Sequence, residues 1–223
     1  MEHFKNNATY QETDGILDSA LFDEAYQHIK EWHSYEPSPL QVLSGLASEI
    51  GVGKIYYKDE SMRFGLKSFK SLGGAYAVIH VLREHLKAKY PDLKITDHDL
   101  KDGKYANDLK DFVVATATDG NHGRSLAWGA HQCGIKCKIY MHAGVSQSRG
   151  IAVELLGAEV TWVDGNYDDS LLQVKRDAIE NEWQIISDTS YQGYTYVPKY
   201  VMAGYTVMTK EISEQLSTEP PPT

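Results

Sequence analysis

Between residues 112 and 188 four short apolar runs alternate with longer amphipathic ones. The apolar runs are FVVATAT (112–118), KCKIYMH (136–142), AEVTWVD (158–164) and WQIISD (183–188). Between them lie NHGRSLAWGAHQCG (121–134), SQSRGIAVELLG (146–157) and YDDSLLQVKRDAIENE (167–182), and a last helical pattern covers about 198–216. In the third intervening run Leu171, Val174 and Ala178 step by three and four, the helical spacing. Strands separated by helices of this length point to a parallel sheet with helices packed on it. The expected class is α/β, a three-layer αβα arrangement.

Upstream, ALFDEAYQHIKEWH (20–33) reads as an amphipathic helix and EPSPL (36–40) as a turn. QVLSGLASEIG (41–51) reads as a helix closed by Gly51, KIYYKDE (54–60) as a strand, and Phe69 to about Ala88 as a long helix. The polar stretch 87–111 reads as a surface connection with room for a short helix. The chain has 223 residues, enough for one large domain or two small ones with a real core. A net charge of −9 argues against nucleic acid as a main partner, because phosphate binding needs a basic surface. No apolar run approaches the roughly 20 residues of a membrane span, and the polar MEHFKNNATYQETDG lacks a signal peptide's apolar centre. A cytoplasmic protein is expected. Cys133 and Cys137 in CGIKC read as ordinary reduced cysteines on two different elements, and no metal site is expected.

In open parallel sheets ligands gather at the carboxyl ends of strands, near helix N-termini. TATDGNHGR (116–124) falls there, and its Gly120 and Gly123 would let backbone approach a ligand closely. The same residues also suit a tight turn capped by Asp or Asn. There is no GxGxxG fingerprint and no Walker loop, so a dinucleotide or nucleoside triphosphate is not favoured. KSFKSLGGAYAV (67–78) raises a second question: Lys70, just ahead of Gly73 and Gly74, is either a solvated helix lysine or one that bonds covalently to a cofactor.

SFKSLGGAYA, followed about fifty residues later by TDGNHGR, resembles the paired signature of fold-type-II pyridoxal-phosphate enzymes, the tryptophan-synthase-β-like group. The resemblance implies that Lys70 forms the Schiff base, that Phe69 neighbours the cofactor, and that Gly120 and Asn121 contact it, Asn121 at the ring's 3′-oxygen. Lys67 is close in sequence, but Lys70 holds the motif's place. A Schiff-base lysine must be partly neutral to attack an aldehyde, which burial and a neighbouring cation favour. The longer runs YKDESMRFGLKSFKSLGGAYAV, IYMHAGVSQSR, GAEVTWVDGNYDDS, SDTSYQGY and GYTYVPKYVMAGY are similar to the diaminopropionate ammonia-lyases, over nearly all of 54–210.

That similarity implies α,β-elimination of 2,3-diaminopropionate to pyruvate and ammonia. Lys70 would take the Cα proton from one face, and Asp119 from the other face for the opposite enantiomer. Asp188 would bind the substrate's distal ammonium or handle protons. Both aspartates also read as caps or turn residues. His122 reads as structural, and Arg63 and Ser61 as anion binders or solvated residues. A small amino-acid substrate and a homodimer are implied. Serine and threonine dehydratases, which usually carry a small residue where Asp119 stands, are the alternative within the group. A non-catalytic binding or assembly module is the alternative outside it.

Family members continue past EQLSTEPPPT into the part that holds the cofactor's phosphate. The large domain is therefore expected to be incomplete, with 1–85 its N-terminal share including Lys70, 86–216 a smaller βαβ domain and 217–223 a tail. Weak pyridoxal phosphate binding, impaired turnover and exposed apolar faces on the helices of 1–85 are expected to follow.

Overall fold

The computed structural model describes residues 19–218. Its centre is a four-stranded parallel sheet of β3 (Val113–Ala117), β4 (Lys136–His142), β5 (Glu159–Val163) and β6 (Gln184–Ile185), in the order β5-β4-β3-β6. All five residues of β3 are buried, as a strand covered on both faces requires. Its side chains alternate. Val114 joins a large cluster with Leu72, Leu126 and Ile139, while Ala115 and Ala117 join Tyr140 and Val174 in a small cluster on the other face. The first face carries α6 (Asn121–Gln132), on which α3 (Lys70–Lys89) packs with α9 (Tyr196–Gln215) on its other side; α8 (Tyr167–Asn181) covers the second. The expected three layers are present. The remaining helices are α1 (Ser19–Lys30), α2 (Ser44–Ile50), α4 (Asp97–Lys101), α5 (Ala106–Leu109) and α7 (Gln147–Glu154).

Four expectations change. A two-stranded antiparallel pair, β1 (Leu40–Val42) with β2 (Tyr56–Lys58), occupies the start of the stretch read as a helix. Helix α2 follows it, and Gly51 closes that helix at φ 74°, where glycine is favoured. The connection 87–111 is not merely surface: its isolated apolar residues Ile95, Leu100, Tyr105 and Leu109 are buried in the main core. A reciprocal cap between Thr96 and Asp99 starts α4. Strand β6 spans two residues, because Ser187 N–H already bonds the Tyr194 hydroxyl (2.9 Å) and the chain turns away. Finally, α3 is buried over most of its surface, and the exposed apolar face lies on α2 and its neighbours, at Val42, Leu46, Ile50 and Val52. The expected boundary at residue 85 falls inside α3, whose buried residues belong to the same cluster as those of α6 and α9.

Arg63 ties the N-terminal elements to α9. Its guanidinium donates to Glu211 (2.7 and 2.9 Å) and to Glu60 (2.8 Å to each oxygen), and both Arg63 and Glu211 side chains are 1% exposed. Lys58 Nζ (2.8 Å), Tyr35 OH (2.9 Å) and Ser38 N–H (3.0 Å) complete the shell of Glu211. Arg63 is thus an internal clamp, not an anion binder. Burial raises the Glu211 carboxyl, but Arg63, Lys58 and Tyr35 lower it by more, to below its ordinary 4.5. The clamp's stabilisation is therefore complete above about pH 4.5 and is lost as acid protonates Glu211 below it. Removing the guanidinium takes its bonds from Glu60 and leaves Glu211 with Lys58 as its remaining cation, so Arg63→Ala should cost about 3 kcal/mol, read as a lower urea midpoint at pH 7. At a pH low enough to protonate Glu211, the gap between variant and parent should narrow.

Candidate active site

Two helices begin at one place. Lys70 is the first residue of α3, and Asn121 the first of α6. Between α3 and α6 the backbones touch: a Cβ at Gly129 would lie 2.8 Å from Ala75 Cα. A Cβ at Gly74 would overlap the Ser125 hydroxyl, which instead accepts from Ala75 N–H (3.0 Å). On the other side a Cβ at Gly204 of α9 would lie 2.7 Å from Gly73 Cα. Gly73 and Gly74, noted in sequence as neighbours of Lys70, are the contact points that let α3 sit between α6 and α9. The segment leading into Lys70 is left-handed at Phe64 (φ 48°), Gly65 (71°) and Lys67 (60°). Phe64 is held there by stacking on Trp128 (5.0 Å), as strained positions need.

The β3–α6 turn is organised by Thr118. Its hydroxyl accepts from Gly120 N–H (3.1 Å) and Gly123 N–H (3.3 Å). Gly120 occupies the cap position at φ 148° and ψ −69° and has no side chain to cap the helix, so the first-turn N–H of Gly123 is satisfied by Thr118 instead. The capping reading of Asp119 and Asn121 therefore falls, and both residues are exposed at the turn. Asp119 instead meets His142 (Oδ1 to Nε2, 3.2 Å).

Asp188 follows β6 and arrives from the other side of β3. It forms an ion pair with Lys70 Nζ. His122 Nδ1 lies 3.9 Å from the same carboxylate oxygen, while His122 Nε2 donates to Ile186 O (2.8 Å). Burial raises the Asp188 carboxyl, and His122 and Lys70 lower it by more, so it sits below the ordinary carboxylate range. Burial also pushes His122 down from its ordinary value. Lys70 is the direct partner of Asp188, and His122 stands farther off. The charged neighbour of Lys70 is thus a carboxylate rather than the expected cation.

Lys70, Asp119, Gly120, Asn121 and Asp188 line one cleft of about 260 Å³. Phe69 stands beside it, its ring packed edge-on against Tyr205 (5.0 Å) rather than lining it. The cleft also takes in Thr118, Arg149 and Tyr167, which sequence reasoning did not single out. Arg149 and Tyr167 sit at the starts of the next two helices, a placement that spacing alone does not mark.

The donor set suits an aldehyde cofactor. One amine, Lys70 Nζ, is reachable at 31% side-chain exposure, and the Asn121 amide can meet a ring oxygen. Among the described residues, His122 Nδ1 is a buried polar atom with no hydrogen-bond partner.

Comparison with known proteins agrees with this chemistry. The model of the pyridoxal-phosphate dependent enzyme family matches residues 32–223. The diaminopropionate ammonia-lyase of Escherichia coli K12 is 41% identical over 205 residues, covering 92% of this chain and 50% of that protein. The biosynthetic L-threonine dehydratase of the same organism is 28% identical over 212 residues, covering 93% of this chain and 34% of that one. The crystal structure of E. coli diaminopropionate ammonia lyase in complex with D-serine superposes with a TM-score of 0.85 at 38% identity, over 95% of this chain and 53% of that one. The chain spans about half the length of the diaminopropionate ammonia-lyases it matches. The family match takes in Lys70, the β3–α6 turn and Asp188 together, and the chain belongs to the family of pyridoxal-phosphate-dependent enzymes.

Proposed function

We propose that this chain carries the lysine-bearing half of a lyase that eliminates both amines of 2,3-diaminopropionate. One molecule of water is consumed, and pyruvate and two molecules of ammonia are released. The observation that carries the reading is the meeting of Lys70 with Asp188 in a cleft that Asp119 also lines. The 41% identity to a diaminopropionate ammonia-lyase supports it.

Lys70 Nζ would hold the cofactor covalently, and Asn121 and Gly120 would seat its ring, with Phe69 packed beside the cleft on Tyr205. Pyridoxal phosphate, when bound, supplies an electron sink for the pair left at Cα when a proton departs. Lys70, as a free amine, removes that proton from one face. Asp119 serves the opposite enantiomer from the other face. Asp188, held ionised by Lys70 in the cofactor-free state, offers a carboxylate to the substrate's second ammonium once that lysine is engaged elsewhere.

For the full-length enzyme our reading is a cytoplasmic homodimer. Among the described residues no helix is long and apolar enough to cross a membrane. A serine or threonine dehydratase is the second reading, supported by the 28% identity to a threonine dehydratase. Asp119 separates the two readings.

Addition of pyridoxal phosphate should produce a visible absorbance band, and borohydride reduction followed by peptide mapping should find the label on Lys70. Lys70→Ala should abolish the band, and a label on Lys67 would sink the assignment. Asp119→Ala should lower turnover of one diaminopropionate enantiomer by about 10²–10⁴-fold and leave the other within a few-fold. Equal losses on both would remove the two-base scheme.

A further inference from the structure

We propose that His142 is a positioning residue for Asp119, fixing the carboxylate that serves one substrate enantiomer. The proposal rests on Asp119 acting as a base.

His142 is the last residue of β4, paired in register with Val163 of β5. The turn that follows is tight: Ala143 N–H bonds Val163 O (3.0 Å) and Val145 N–H bonds His142 O (3.0 Å). Within this turn Gly144 N–H donates to His142 Nδ1 at 3.1 Å. The ring is also seated on Gly144, where a Cβ would stand 2.8 Å from Cε1 and 3.0 Å from Nδ1. Any other residue at 144 would push the imidazole away.

These contacts settle the tautomer. Because Nδ1 accepts from a backbone N–H, the ring hydrogen of the neutral imidazole sits on Nε2. Nε2, which carries that hydrogen, lies 3.2 Å from Asp119 Oδ1, within ion-pairing range. The backbone of Asp119 is held as well: Arg149 Nη1 donates to its carbonyl oxygen (3.0 Å), and the Arg149 stem lies 3.4 Å from where a Cβ on Gly120 would be. Asp119 is thus gripped at its carbonyl and at one carboxylate oxygen. Among the described residues no hydrogen bond engages Oδ2.

This division suits a base on an exposed turn. The Asp119 side chain is 57% exposed and would otherwise sample several rotamers. A single polar contact at Oδ1 favours one and leaves Oδ2 for the substrate. The proton taken from Cα goes to Oδ2. His142 does not receive it, since Nε2 already carries a hydrogen and Nδ1 is occupied by Gly144.

The test pairs a spectrum with a rate. In the ¹⁵N-histidine-labelled protein, a long-range ¹H–¹⁵N spectrum should show His142 with Nε2 protonated and Nδ1 bare, and Asp119→Ala should move the Nε2 resonance. His142→Leu should lower kcat about tenfold for the enantiomer that depends on Asp119, with its KM and the other enantiomer unchanged. His142→Gln, which keeps an N–H donor, should recover most of the loss. An Nδ1-protonated ring, an Nε2 resonance indifferent to Asp119→Ala, or equal slowing of both enantiomers would overturn the positioning role in an active enzyme. Absence of turnover of either enantiomer by the full-length enzyme would instead overturn the lyase reading and the role that rests on it.

Discussion

Helix α3 lies between α6 and α9 at separations that only glycine permits. Gly73 and Gly204 meet on one side, and Gly74, Gly129 and Ala75 on the other. Gly204 and Gly129 bring backbone against backbone and Gly74 takes the Ser125 side chain, so neither neighbouring helix can slide without a clash. The site inherits this rigidity. Lys70 begins α3 and Asn121 begins α6, so the close crossing of the two helices sets the distance between the amine and the β3–α6 turn. Glycine is costly in a helix interior, and here the cost is offset by packing that larger residues would forbid.

The approach to Lys70 is held by different means. Three left-handed residues ahead of Phe69 bend the chain sharply. On one side Arg63 is bound to two carboxylates in the interior, and on the other Phe64 is stacked on Trp128. A buried charge network is poor evidence for stability as such, but it fixes one arrangement of its members. The clamp joins β2 and the loop before Lys70, neighbours in sequence, to α9, whose Glu211 lies 148 positions beyond Arg63.

The cleft keeps unlike charges close and the two aspartates in different settings. Asp188 is mostly buried and paired with Lys70; Asp119 is on an exposed turn and paired with His142. Identical side chains thereby stand in different surroundings, as the proposed division of tasks between them requires. The β5-β4-β3-β6 order explains how they meet. The chain leaves β3 toward β4 on one side and returns as β6 on the other, so the ends of β3 and β6 flank a switch point, where open sheets bind ligands.

The local signals were strong enough to read from sequence alone: the run of apolar segments, the period of the helices, the glycine after α2 and the cleft-lining motif residues Lys70, Asp119, Gly120, Asn121 and Asp188. Periodicity reports which face of an element is buried, and motif spacing reports chemistry, so both survive without coordinates. What they could not supply was partnership. Nothing local marks Leu40–Val42 as a strand, since its stability comes from pairing with Tyr56–Lys58. Arg63 looked like a solvent residue until Glu211, 148 positions away, came beside it. His142 showed as a strand end and became a partner of Asp119 only through the β4 turn. The sequence by itself determined the elements and the reactive groups, because these depend on neighbours along the chain. The tertiary structure alone decided which charge faces which, because that depends on strand order and on how closely three helices can approach.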